Sequence, residues 1–207
     1  MNQTLSGPAR SCLWASVTAS ATLLLFSATV WWLVDGPMLF FAVGIYLAIL
    51  TAFAACVVWS IRQLWKFGWR SGTSAAVCLV AGLMWWFVPF TSLWIQANYR
   101  RHRAEREAIV AKITSGQLRP NVPCCPSLIA LGPDTAYVSM GGNQVSVEEH
   151  DGKKYVMFYT FGGVLDHYSG FLFVPDNGDP SRFSDLDEAD RTELVRFSDH
   201  WVWASHH

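Results

Sequence analysis

Residues 13–34, 37–61 and 74–97 form three apolar stretches that contain no Asp, Glu, Lys, Arg or His. Each exceeds the run of about 20 residues that carries an α-helix across the hydrocarbon core of a bilayer. A helix on a soluble protein shows an apolar stripe. These stretches are apolar on every side, so lipid is their natural solvent. Charge divides the chain in the same place. Before Arg100 the only charged side chains are Arg10, Asp35, Arg62, Lys66 and Arg70, and nearly all the rest follow it. The expected fold is a membrane α-helical domain of three transmembrane helices (1–99), a basic juxtamembrane helix (100–119) and a small water-facing α+β domain with an antiparallel sheet (120–207). The last part has material for one modest core.

The first stretch reads as an anchor and not as a cleaved signal. Its leading segment offers only Arg10, the apolar run is too long, and Trp31-Trp32-Leu33-Val34 is no small-residue cleavage site. Trp14, Trp31, Trp32, Trp59, Trp65, Trp69 and Trp94 sit near the expected span ends, as interfacial aromatic belts do, while Trp85 and Trp86 lie deeper and are expected between helices. Arg100, Arg101, Arg103, Arg106 and Lys112 crowd the membrane exit as a collar for lipid phosphates. Against Arg10, Arg62, Lys66 and Arg70 on the other side, they favour a cytoplasmic C-terminal domain by a single charge.

Asp35-Gly36-Pro37 turns the first two spans into an antiparallel hairpin. Pro89 is expected to kink the third span, and a polar helix continues beyond Tyr99 until Gly116 stops it. The stretch 120–126, with its prolines, separates the membrane unit from the head. Short apolar runs at 128–131 and 136–140 follow. Asp151-Gly152 then suits a type I′ turn between strands at 145–150 and 153–161. Counting back from it pairs Glu149 with Lys154 and Val147 with Val156, one opposite-charge and one apolar pair. Gly162-Gly163 reverses the chain into a third strand over 164–174. Ser184 is placed to cap a helix reaching about Phe197, with Leu186, Ala189, Leu194 and Phe197 on one face. Residues 200–204 suit a last strand.

No motif in the chain carries chemistry convincingly. No ionisable residue lies within a span, which argues against a proton- or ion-coupled carrier. Ser16, Thr18, Ser20, Thr22, Ser27 and Thr29 read as helix-packing residues. Asp166 and His167 are adjacent and point to opposite faces of a strand. Tyr168-Ser169-Gly170 lacks the first glycine of a nucleophile elbow. Asp176-Asn177-Gly178-Asp179 lacks the spacing and terminal Glu of an EF-hand, and His200, His206 and His207 read as a tail. Cys12, Cys56 and Cys78 act as small apolar groups, and Cys124-Cys125 as two free thiols. No metal, cofactor or nucleic-acid site is expected, and the chain reads as no enzyme. Asp185, Asp187, Glu188 and Asp190 form an acidic face suited to docking a basic protein partner.

The run Tyr-Val-Met-Phe-Tyr-Thr-Phe-Gly-Gly-Val-Leu-Asp-His-Tyr-Ser-Gly-Phe-Leu-Phe-Val-Pro, from Tyr155 to Pro175, resembles segments of small bacterial membrane proteins. Some of these look like immunity proteins that guard a cell against an antibacterial toxin delivered to its envelope. The resemblance implies a non-enzymatic binding role in a bacterial inner membrane and carries over no catalytic residue. The rival expectation is a structural or sensory membrane subunit whose head binds another envelope protein.

Overall fold

The computed structural model describes residues 7–33, 38–68, 72–133, 135, 137–162, 168–183 and 192–206. The chain divides into two compact units, Met1–Ile95 and Gln96–His207. Helices α1 (Gly7–Leu33), α2 (Met38–Phe67) and α3 (Gly72–Phe87) build the first, and α4 (Phe90–Thr114) begins in it. Two helices, α1 and α2, are long and apolar enough to cross a membrane, and up to three crossings result if α3 and α4 together make one span.

The third span departs from expectation. In place of one kinked helix over 74–97 there are two helices, bent by 61° at a break between Phe87 and Phe90. With 16 residues, α3 reaches only about 24 Å at 1.5 Å per residue, short of a hydrocarbon core of about 30 Å. Pro89 supplies the reason. Its ring opposes the preceding helical turn, yet its fixed φ suits the start of a new helix, and Leu93 N–H donates to the Pro89 carbonyl at 3.0 Å.

Within this unit α1 buries Cys12, Ser16, Ser20, Leu23 and Ser27, a stripe at helical spacing, while Thr18, Thr22 and Thr29 are exposed. The hydroxyls of Ser16 and Ser60 meet at 3.1 Å, and Cys12 Sγ lies 3.7 Å from both Ser60 Oγ and Ser74 Oγ. Small residues admit close helix approach, and their polar atoms bond across the interface. Trp85 packs inward as expected, its indole N–H donating to Tyr46 OH at 2.7 Å. Trp86 does not; it is 75 % exposed.

In the second unit α4 runs on to Thr114 and ends at Gly116, whose φ of +76° permits the terminating turn. Gly116 N–H donates to Ile113 O at 3.1 Å, and Lys154 Nζ caps that same carbonyl at 2.8 Å. The rest is β1 (Leu128–Ala130), a single-turn helix α5 (Met140–Asn143), β2 (Gln144–His150), β3 (Lys153–Gly162), β4 (Tyr168–Phe173), β5 (Thr192–Arg196) and β6 (Trp201–His206). They form one antiparallel sheet in the order β1-β2-β3-β4-β6-β5.

Both faces of the sheet's inner strands are covered. Val145, Phe158, Phe171 and Trp203 are paired in register on one face, where the Tyr99 ring of α4 lies 5.7 Å from Phe171. Tyr155, Met157, Leu172, Val174, Val202 and Ala204 cluster on the other with Phe183. Double burial explains why 155–158 and 171–174 are continuously apolar and do not alternate. The β2–β3 register pairs Glu149 with Lys154 and Val147 with Val156, as the turn predicts. Asp151 and Gly152 have φ of 52° and 72°. A Cβ on Gly152 would meet nothing within 4 Å, so its cost is conformational. Gly152→Val should therefore destabilise the sheet unit by about 1 kcal/mol or more. The check is the thermal midpoint of the full-length variant, and an unchanged value would show that the turn accepts a β-branched residue.

One expected helix is partly replaced. Residues 184–191 lie outside the described residues, but 192–196 form β5. The helical spacing of Leu194 and Phe197 is a local signal, and the ladder with β6 overrides it, placing Leu194 beside Ala204 and Val195 beside Trp203. Of the third strand, expected over 164–174, Tyr168–Phe173 is present, and 164–167 lie outside the described residues. The last strand is present, and Trp201 in it is 1 % exposed, so this segment is core and not a tail.

Candidate functional site

A sheet has two outer edges, and here they differ. Beyond β1, Asn121 occupies the place of a further strand. Its Oδ1 accepts the Ala130 N–H at 2.7 Å, its Nδ2 donates to Ala130 O at 3.1 Å, and its own N–H donates to Leu128 O at 3.2 Å. The β5 edge has no such cover among the described residues. Phe197 N–H donates to Trp201 O at 2.8 Å, so position 197 faces β6. Alternation along the strand then turns Val195 and Glu193 toward β6, and aims the main-chain groups of Leu194 and Arg196 outward.

The side chains along this edge are open too. Leu194 is 46 % and Val195 40 % exposed, one on each face of the strand, flanked by exposed Glu193 and Arg196. Proteins commonly blunt such an edge with proline, lysine or a bulge. Residues Thr192–Arg196 contain neither proline nor lysine, and the β5–β6 register runs without a shift. The arrangement suits addition of an extended segment, whose main chain would continue the ladder. Sequence reasoning missed this strand. The available signal was the turn-forming Ser198-Asp199 between Phe197 and Trp201.

The acidic candidates Asp185, Asp187, Glu188 and Asp190 lie outside the described residues. Of the basic collar, Arg100, Arg101 and Arg103 are exposed along α4, and Arg103 Nε pairs with Glu107 at 2.7 Å. Arg106, expected at the lipid phosphates, is 1 % exposed. Its Nη2 donates to Asn98 Oδ1 at 2.6 Å and to Val138 O at 3.1 Å, and its guanidinium lies 4.4 Å from the centre of the Phe171 ring. Helical periodicity turns position 106 to the same side as Tyr99, Ile109, Val110 and Ile113, all buried. Burial pushes its pKa down to about 9.

Other polar groups are absorbed by structure. Ser169 Oγ meets Thr160 Oγ1 at 3.1 Å in the interior. Asp179 caps a single turn by accepting the Ser181 N–H at 3.1 Å, which lowers its pKa. Lys153 Nζ donates to Asp176 O at 2.8 Å. His200 is stacked on Phe173, and Asp166 and His167 lie outside the described residues. No group of three or more His, Cys, Asp or Glu among the described residues is arranged to hold a metal ion. Set against known protein families, curated proteins and solved structures, the chain matches none.

Proposed function

We propose that this chain is an integral protein of the bacterial inner membrane, of immunity type, that binds a cognate antibacterial toxin acting at the membrane and neutralises it without catalysis. The observation that carries the reading is the open β5 edge, with Leu194 and Val195 exposed on its two faces. Asp185, Asp187, Glu188 and Asp190 directly precede that edge in the chain. An extended segment of the toxin flanked by Lys or Arg is the fitting partner. Main-chain bonds supply affinity, and the acids steer encounter and select charge. On this reading α3 and α4 make one broken span, so the chain crosses three times. Arg100, Arg101 and Arg103 then contact cytoplasmic lipid phosphates, and the sheet unit faces the cytoplasm.

The test is survival of cells expressing the toxin candidate encoded beside this gene, with membrane abundance of each variant measured. Leu194→Pro removes one outward donor and spares the N–H groups bonded to β6, so protection should fall at unchanged abundance. Simultaneous reversal of the four acids to lysine should also lower it, whereas one reversal changes little. Full protection by the edge variant would move the toxin site away from β5; if the wild-type chain gives no protection and the edge variant loses binding to another envelope protein, the chain is a structural or sensory subunit. Loss of protection from a single reactive-group deletion, at unchanged abundance and toxin binding, would point to chemistry instead.

Orientation has its own test. Cys124 is a free, exposed thiol, so a membrane-impermeant maleimide should reach it from its own side of the membrane. In intact cells labelling should stay weak until the inner membrane is permeabilised. Strong labelling beforehand reverses the orientation.

A further inference from the structure

The connection from α4 to β1 contains Pro123-Cys124-Cys125-Pro126. Each proline fixes its own φ and restricts the residue before it, so the pair is held in a stiff turn. Hydrogen bonds from Cys125 N–H to Val122 O and from Leu128 N–H to Cys125 O, both 3.0 Å, tie the turn further. Both thiols are free, Cys124 exposed and Cys125 partly so, and their sulfurs lie 2.7 Å apart. The two sulfurs therefore present themselves together, on one side of one turn.

The chemistry such a pair favours follows from geometry. Neighbouring Cα atoms stand about 3.8 Å apart, closer than the roughly 4.4–6.8 Å a relaxed disulfide spans. Direct closure is strained, and a strained disulfide is readily reduced, which keeps the dithiol available. A single atom inserted between the sulfurs widens the ring and relieves that strain. Soft centres prefer thiolate sulfur. A linear two-coordinate ion needs its sulfurs on opposite sides, and tetrahedral zinc needs four donors that the described residues do not assemble. A pyramidal centre with two bonds near a right angle fits a pair lying side by side.

We propose that Cys124 and Cys125 form a vicinal dithiol site that captures monosubstituted trivalent arsenicals through both sulfurs. Two S–H bonds and two As–OH bonds break and two As–S bonds form. The two protons leave with the two hydroxides as water, and arsenic stays trivalent throughout. No oxidant or reductant takes part.

The probe is phenylarsonous acid, added to the reduced full-length protein in detergent. One arsenical per chain should appear by intact mass, mapped to the peptide holding residues 123–126, with both thiols blocked to maleimide. Excess 2-mercaptoethanol should leave it in place, and 2,3-dimercaptopropanol should remove it. Cys124→Ser and Cys125→Ser should each weaken retention against the monothiol by about a hundredfold or more, because a two-point attachment becomes a one-point one. Both positions are at the surface, so the variants keep the fold, and circular dichroism confirms it. An adduct that either single variant holds equally well, that the monothiol strips from the wild type, or that maps only to Cys12, Cys56 or Cys78 overturns the proposal.

Discussion

Replacing Gly170 with valine is expected to destabilise the sheet unit sharply while leaving α1 and α2 intact. Gly170 lies in β4, paired with Tyr159 of β3 and Ala204 of β6, where the β3–β4 register shifts between Tyr159 and Phe161. A Cβ at this position would stand 2.5 Å from Phe158 O and 2.8 Å from Met157 Sδ. The methionine sulfur can swing away. The carbonyl belongs to the backbone of a central strand and moves only with that strand, so the clash is relieved by losing pairing. Overpacking of this kind costs about 3 kcal/mol or more, a large share of the roughly 5–15 kcal/mol that holds a domain together. Hydrogen exchange on the full chain in detergent reads the result. Amides of β3, β4 and β6 should lose protection while those of α1 and α2 keep it, and Gly170→Ala should act in the same direction but less. Unchanged protection in the valine variant would mean that the Phe158 carbonyl shifts freely.

Arg106→Ala should be nearly as damaging, for a different reason. The guanidinium is buried against Phe171 and holds Asn98 Oδ1 and Val138 O, while its Nη1 has no partner among the described residues. Truncation leaves two buried acceptors unsatisfied and a cavity. Relief of a buried, unpaired cation offsets part of that cost, but the lost bonds and packing outweigh it, for a net loss of about 3 kcal/mol. Arg106→Met keeps most of the volume and should lose less than half as much. A residue that served only lipid phosphates would show neither effect. The pH dependence has a definite sign. With its pKa lowered from the usual arginine range to about 9, the native state binds fewer protons than the unfolded chain above that value. Wild-type stability relative to Arg106→Met should therefore be flat below about pH 9 and rise above it. Paired denaturation curves of the two proteins check this.

Apolar length, the absence of charge and the turn chemistry of Asp151-Gly152 are local properties, and local physics suffices to read them. They yielded the two long apolar helices α1 and α2, the chain's division into two materials and the β2–β3 register, down to the Glu149–Lys154 pair. Gly116 and the final strand were legible for the same reason. What failed was local evidence overruled from a distance. Leu194 and Phe197 have helical spacing, yet pairing with β6 makes the segment a strand and leaves an open edge. Arg106 looked like one more cation in a basic collar until the sheet closed over it. Gly170 looked like half of a missing motif, and only the approach of Phe158 O shows why a side chain cannot sit there. Pro89 announced a disturbance, but whether a helix bends or breaks depends on what its two halves pack against. The sequence determined which segments avoid water and where the chain turns; the tertiary structure alone decided which polar groups are buried and which edge is left unpaired, because both depend on contacts between residues far apart in the chain.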